Sequence, residues 1–214
     1  MDTKAWPLFD LRLRAGDLTL RPTTEADLPA LAAMQPVDVE QDPSLPAYGP
    51  VDAPLTRAAR TFQFYWRSWG SWRPDAWTLG FLVERDGRII GEQSLEARDF
   101  ARIGTVETAS WLLTTERGQG LGKLMRIAVL TLAFEGLGAA TAETEAWHHN
   151  VASLGVSRAV GYEPNGVYRH ATNDAGGADD MVRMRLTAAR WRALHPAPDV
   201  TIEGLTPCLP YFGR

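Results

Sequence analysis

The sequence predicts an α/β protein built on one mixed sheet, and three observations predict it. Two strand-like segments flank Asp86-Gly87, the dipeptide of a two-residue β-hairpin turn. Residues 120–134 are apolar nearly all round, which suits a helix buried on most sides. Strand-like and helix-like segments then alternate through the second half, as in a sheet with helices packed on it.

Element by element, the order reads βααβββαβαββ. Leu18–Pro22 (LTLRP) alternates as a strand does. Thr24, with Asp27 three residues on, predicts the cap of a helix over Glu25–Met34. Pro36, Pro43, Pro46, Pro50 and Pro54 predict a loop. Residues 55–69 (LTRAARTFQFYWRSW) read as a helix, and 77–97 as the hairpin pair. Thr105–Leu113 is a further strand, and the buried helix follows from Gly120 to Phe134. Residues 139–147 alternate small residues with glutamates, again a strand. Residues 150–160 form a helix that Gly161 ends. Two last strands, 166–171 and 180–187, flank a Gly/Asp-rich turn at Asn173–Asp180. No internal repeat stands out.

Composition narrows the function classes. The chain has 214 residues, enough for one fairly large domain, with 45% hydrophobic and 22% charged residues. No apolar run reaches a membrane span, and the first residues lack a signal peptide's apolar segment. The lone Cys208 cannot form an internal disulfide, so a reducing cytoplasm is expected. His148 and His149 are adjacent, so their side chains are expected to diverge, and no metal site is predicted. A net charge of −4 argues against nucleic acid and suits a cationic amine.

The stretch with the most chemical content is RGQGLG, Arg117–Gly122, at the mouth of the buried helix. Alternating glycines before a helix suggest a phosphate cradle, because the first helical N–H groups face an anion there. A Walker loop would need glycine at Arg117 and a hydroxyl at Leu124, and both fail. The dinucleotide pattern would need a small residue at Lys123 or Met125, and both fail. The pattern Q/R-x-x-G-x-G/A fits at Arg117, Gly120 and Gly122.

That last pattern resembles the pyrophosphate loop of the GNAT acyl-CoA transferases. The segment HHNVASLGVSRAVGYEPNGVY is similar to the N-x-x-S-x(7)-G-[FY] segment of the ribosomal-protein N-terminal acetyltransferase (RimJ/RimL-like) subgroup, at Asn150, Ser153, Gly161 and Tyr162. The ends, WPLFDLRL and GLTPCLPYFG, resemble actinobacterial members thought to use succinyl-CoA. The resemblance spans roughly Leu18 to Leu186. It implies a GNAT fold: one mixed, largely antiparallel sheet, splayed at a central parallel strand pair. It divides the chain into an extension at 1–17, an acyltransferase domain at 18–187 and a second extension at 188–214. The second extension is expected to pack on the domain or on a second subunit.

The resemblance also assigns roles. Acetyl-CoA or succinyl-CoA would be the donor, with no metal. Backbone of Ser110, Trp111, Leu112 and Leu113 would line the pantetheine and thioester. Arg117, Gly118, Gln119, Gly120, Leu121, Gly122 and Lys123 would hold the pyrophosphate. Asn150 would bond the pantetheine arm, although it equally suits a helix cap. Ser153 would contact the donor and give a proton to the departing thiolate, or be a surface serine. Tyr162 would be a buried aromatic. Glu107, opening the strand before the loop, would be the general base, with Glu92, Glu96 and His170 as alternatives. Glu107 and Ser110 differ in parity, so only a bulge would bring them to one face. The aromatic segment Trp66–Trp77 reads as core or as a wall of the acceptor pocket.

The function implied is transfer of an acyl group to a primary amine, on a protein N-terminus or a small molecule. A non-catalytic acyl-CoA sensor is the alternative. No nucleic acid or membrane partner is expected, and a homodimer or higher homo-oligomer is.

Overall fold

The computed structural model describes residues 3–39, 53–172 and 177–214. Among them a nine-stranded sheet forms the centre. The first hairpin is β1 (Arg12–Ala15) and β2 (Leu18–Pro22). Next come α1 (Leu28–Met34), α2 (Ala53–Gly70), and the hairpin β3 (Trp77–Arg85) and β4 (Arg88–Ala97) about Asp86-Gly87. A short α3 (Phe100–Ile103) leads to β5 (Thr105–Leu112) and α4 (Leu121–Thr131). The chain continues through β6 (Thr141–Trp147), α5 (Val151–Val160), β7 (Glu163–Ala171), β8 (Ala178–Thr187), α6 (Ala188–Leu194) and β9 (Thr201–Glu203). The strand order is β7-β8-β6-β5-β4-β3-β2-β1-β9, and β5 with β6 is its parallel pair.

Alternation along the strands sends side chains to two different layers. On one face Leu79, Phe81, Leu95, Val106, Ala142 and Leu186 meet α4, α5 and α6 in the main core. Each fully buried Leu or Phe there contributes about 1.5–3 kcal/mol. On the other face a smaller core joins Leu28 and Leu31 of α1, Tyr65 of α2, Leu82 and Trp111. This second layer covers only part of the sheet, and β5, β6 and β8 present polar residues beside it.

Most predicted elements form, with informative differences. The predicted helix over 25–34 is a 3-10 turn at Glu25–Asp27 followed by α1, and Asp27 accepts from the Thr24 N–H at 2.8 Å. Pro54 lies in the first turn of α2 rather than in a loop, where its missing N–H has no helical partner to lose. Pro43, Pro46 and Pro50 lie outside the described residues, as do positions 173–176 of the Gly/Asp-rich turn. The helix predicted to Phe134 ends as α4 at Thr131 and widens into a π turn over Leu132–Gly136. Strands β1 and β9 pair with each other at the sheet's edge and were not read from the sequence.

Those edge strands tie both ends of the chain to the sheet. Trp72 stacks on Trp77 at 6.0 Å and donates its indole N–H to the Tyr211 carbonyl at 2.9 Å. Trp6, Phe100 and Phe212 close around them, and the Tyr211 hydroxyl donates to the Ala5 carbonyl. The aromatic segment is therefore divided. Trp72 and Trp77 anchor the termini, Trp69 packs against the second core, and Trp66 is half exposed.

Candidate active site

Strands β5 and β6 pair at Thr105–Thr141, Val106–Ala142 and Glu107–Glu143. The last tie is the Thr144 hydroxyl, which donates to the Thr108 carbonyl at 2.9 Å. Beyond it the strands part, leaving the β6 side of Ser110 without a strand partner, while the Ala109 carbonyl accepts from the Gln93 amide at 2.7 Å. This fork is the geometric centre of the site. Helices α4 and α5 flank it on the main-core face, where they approach closely enough that a Cβ at Gly122 would lie 3.3 Å from Val156.

The loop at the fork's outer end fits a diphosphate. Gly118 and Gly120 have φ of 78° and 82°, a left-handed geometry that glycine adopts without strain, and open space lies where their Cβ atoms would stand. The first amides of α4, from Leu121 and Gly122, have no acceptor one turn back in the helix, whereas the Lys123 N–H donates to the Gly120 carbonyl at 3.1 Å. Lys123 is exposed beside them and lines a groove of about 410 Å³ with Asp17, Arg85, Gln119, Gly120 and Leu121. Arg117 is occupied within the protein. Its guanidinium forms a two-point pair with Asp38, at 2.5 and 2.9 Å, and its Nε donates to the Leu112 carbonyl. It braces the loop against the strand end.

Asn150 caps α5: its Oδ1 accepts from the Ser153 N–H at 3.0 Å. The cap leaves the amide nitrogen with no hydrogen bond among the described residues. Ser153 is half-buried one turn before Val156, the residue that meets Gly122. Tyr162 is buried, and its hydroxyl lies 3.2 Å from the Thr108 hydroxyl at the crotch of the fork.

On the opposite face the fork opens into a cavity of about 560 Å³ lined by Glu96, Arg98, Glu107, Thr108, Ala109, Glu143, Thr144, Glu145 and Arg183. Cross-strand register explains the carboxylates. Glu96 pairs with Glu107, and Glu107 with Glu143, so three glutamates stand in one row across three strands. Glu143 receives Asn165, and Glu145 receives Tyr168 and Arg183. Glu96 receives Ser94 and Thr78. Glu107 alone in the row makes no hydrogen bond or ion pair to a described residue. Burial and the charges of Glu145 and Glu143 raise its pKa. Burial and Glu107 raise that of Glu96.

The alternatives for the base separate clearly. Glu92 shares the face of Glu96 but sits four residue pairs further along β4, where the Tyr65 hydroxyl and the Trp111 indole donate to it at 2.9 and 2.8 Å. Burial pushes its pKa up to about 7. It anchors the second core to the sheet. His170 lies beyond the cavity against Trp147 and Tyr168. Strand β5 keeps unbroken register with β4, so no bulge intervenes, and Glu107 and Ser110 point to opposite faces. The backbone of Ser110 lines the fork, while the Trp111 ring faces the second core and Leu112 the main core.

One expectation fails. His148 and His149 do not diverge: both Nδ1 atoms reach the Asp179 carboxylate, at 3.3 and 3.4 Å. They lie in a turn after β6, where neither strand nor helix periodicity governs side-chain direction.

One residue was missed. Arg126, on α4, is 2% exposed. Its guanidinium spans the fork, donating to Gln93 Oε1 at 3.4 Å, Thr144 Oγ1 at 3.4 Å and Ser110 Oγ at 3.1 Å. The signal was a second charge, three residues after the exposed Lys123, inside a helix otherwise apolar on most sides.

Comparison with known proteins agrees with this geometry. Residues 17–163 match the family model described as acetyltransferase (GNAT) domain. Among solved structures, RimJ of Mycobacterium smegmatis in complex with CoA-disulfide is 17% identical, with a TM-score of 0.64 over 89% of this chain and 96% of that one. A GCN5-related N-acetyltransferase from Brucella melitensis is 19% identical, with a TM-score of 0.65 over 86% and 82%. A spermidine N-acetyltransferase SpeG chimera from Vibrio cholerae and hSSAT is 16% identical, with a TM-score of 0.62 over 82% and 98%. The chain belongs to the GNAT acetyltransferase family, with acyl-CoA as its donor.

Proposed function

We propose that the protein moves an acetyl or succinyl group from acyl-CoA to a primary amine by direct attack, with both substrates bound at once. A cationic small molecule or a protein N-terminus would be the acceptor. The observation that carries this reading is the carboxylate row opening onto the fork, with Glu107 left without a partner among the described residues.

The chemistry fits those positions. An alkylamine is mostly protonated at neutral pH and must lose a proton before it attacks. Glu107, raised in pKa, takes that proton directly or through water. The amine nitrogen bonds to the thioester carbon, the carbon–sulfur bond breaks, and its electron pair leaves on sulfur. A backbone N–H of β5 where the strands part, near Ser110, is suited to receive the thioester oxygen. Ser153 would return a proton to the thiolate. Backbone amides of the 118–123 loop hold the diphosphate, and the free amide nitrogen of Asn150 suits the pantetheine arm. Holding both reactants in one cleft supplies much of the rate. A homodimer is part of this proposal on resemblance alone.

The experiment is free-thiol release from acetyl-CoA and succinyl-CoA against a panel of diamines, polyamines, amino acids and N-terminal peptides. Turnover that favours cationic acceptors supports the proposal. Tight CoA binding with no turnover on any amine would favour the sensor.

A further inference from the structure

Arg126 is a buried cation with no anionic partner among the described residues. Its contacts, Gln93, Ser110, Thr144 and the nearby Tyr162 hydroxyl, are all neutral oxygens. Among the described residues no carboxylate lies within ion-pair distance of it. Burying a charge is costly, and each guanidinium nitrogen here has only a long contact, 3.1 to 3.4 Å, to a neutral oxygen, with no counter-charge beside it. The surroundings nevertheless hold the group in place. Gln93 donates its amide to the carbonyls of Ala109 and Ser94, at 2.7 and 2.9 Å, which turns its oxygen toward Arg126. The Thr144 hydroxyl is fixed on the Thr108 carbonyl. Three strands thus aim acceptor atoms at a cation stationed under the opening of the fork.

Its side of the sheet gives the clue to its use. The carboxylates that suit an incoming amine lie on the opposite face. A donor held by the loop that opens α4 would reach the fork from the α4 side, which brings its sulfur toward Arg126. We propose that Arg126 is the electrostatic partner of the CoA thiolate: its charge favours the sulfur as an anion in the fork and so eases scission of the carbon–sulfur bond. This rests on the acyltransferase reading above and adds a residue to it. The electron pair released by the broken bond resides on sulfur beside the guanidinium until a proton arrives.

The test reads the thiol itself. Ultraviolet absorbance of the thiolate, titrated against pH, gives the pKa of CoA bound to excess protein and of free CoA in the same buffer. An ordinary thiol titrates near ~8.5. The expected bound value is lower than that of free CoA by about one unit or more, as for a thiol beside a fixed cation. Arg126→Gln should bring it back to the free value or above, and Arg126→Lys should keep part of the shift. CoA affinity, read by calorimetry, should change much less, because the diphosphate loop is intact. A wild-type thiol pKa equal to or above that of free CoA overturns the proposal, whether or not the variants fold. So does a shift that survives in Arg126→Gln. If instead Arg126→Gln abolishes a preference for succinyl-CoA over acetyl-CoA while the thiol pKa stays put, the charge serves an acyl carboxylate and the thiolate assignment is wrong. Failure of CoA to bind at all would sink the acyltransferase reading; CoA binding with an unshifted thiol would sink this inference alone.

Discussion

At the fork the two faces of one sheet carry opposite charge. The face under α4 holds Arg126, buried and facing neutral oxygens. The other face holds Glu96, Glu107, Glu143 and Glu145, offset by Arg98 and Arg183. A few ångströms of backbone separate them. The difference shows how one domain can sort two reactants without moving. An anionic donor suits the first face and a cationic acceptor the second, and the parted strands leave a passage where they meet. Strand parity creates the contrast, because Glu107 and Ser110 are on one strand and point to opposite sides.

The contrast breaks most easily at Glu107. Glu107→Gln should lower kcat/KM for a cationic amine at least about 100-fold and remove the rise of rate with pH through its raised pKa. A variant with wild-type rates would mean that the acidic face does not serve the acceptor. Next comes Gly120→Asp on the donor side, which adds left-handed strain and a misplaced charge. CoA affinity by calorimetry should fall about 30-fold, while the left-handed strain lowers the melting temperature by only about 2–4 °C.

A smaller effect tests where the acidic face ends. Glu92 keeps its proton in the folded protein up to about pH 7, whereas the unfolded chain loses it near the ordinary 4.5. The stability this group contributes is therefore present below 4.5 and lost as pH rises through 7. Glu92→Gln should flatten that decline in a series of melting temperatures, with catalysis retained. Loss of turnover in Glu92→Gln would make it the base in place of Glu107. The smallest effect is expected from Asp38→Ala. Its pair with Arg117 is exposed, so stability should change by no more than about 1 kcal/mol, measured by urea unfolding.

How much of this was legible before the fold depends on the range of the contacts. The diphosphate loop was readable because glycine spacing, helix start and backbone geometry lie within six consecutive residues. The Asn150 cap was readable for the same reason, since its partner is Ser153. Glu107 could be named as a candidate from its position, yet its acidic neighbours Glu96 and Glu143 are 11 and 36 residues away and meet it through register. Arg126 looked like an ordinary charge, because nothing local reveals that its helix turns that side toward a fork. The terminal segments looked like extensions, but β1, β9 and the tail at Tyr211 and Phe212 bind the main sheet and its aromatics through contacts that span nearly the whole chain.

The sequence by itself determined the α/β class, the order of the main elements and the glycine-rich loop that opens the buried helix. Those depend on periodicity, turn chemistry and backbone conformation, which act between near neighbours. Only the tertiary structure decided which charges share a face, that Glu107 lacks a partner among the described residues, and that an unpaired cation lies beneath the fork. Those depend on strand pairing and helix packing, which bring together residues the chain keeps far apart and set how far each is removed from water.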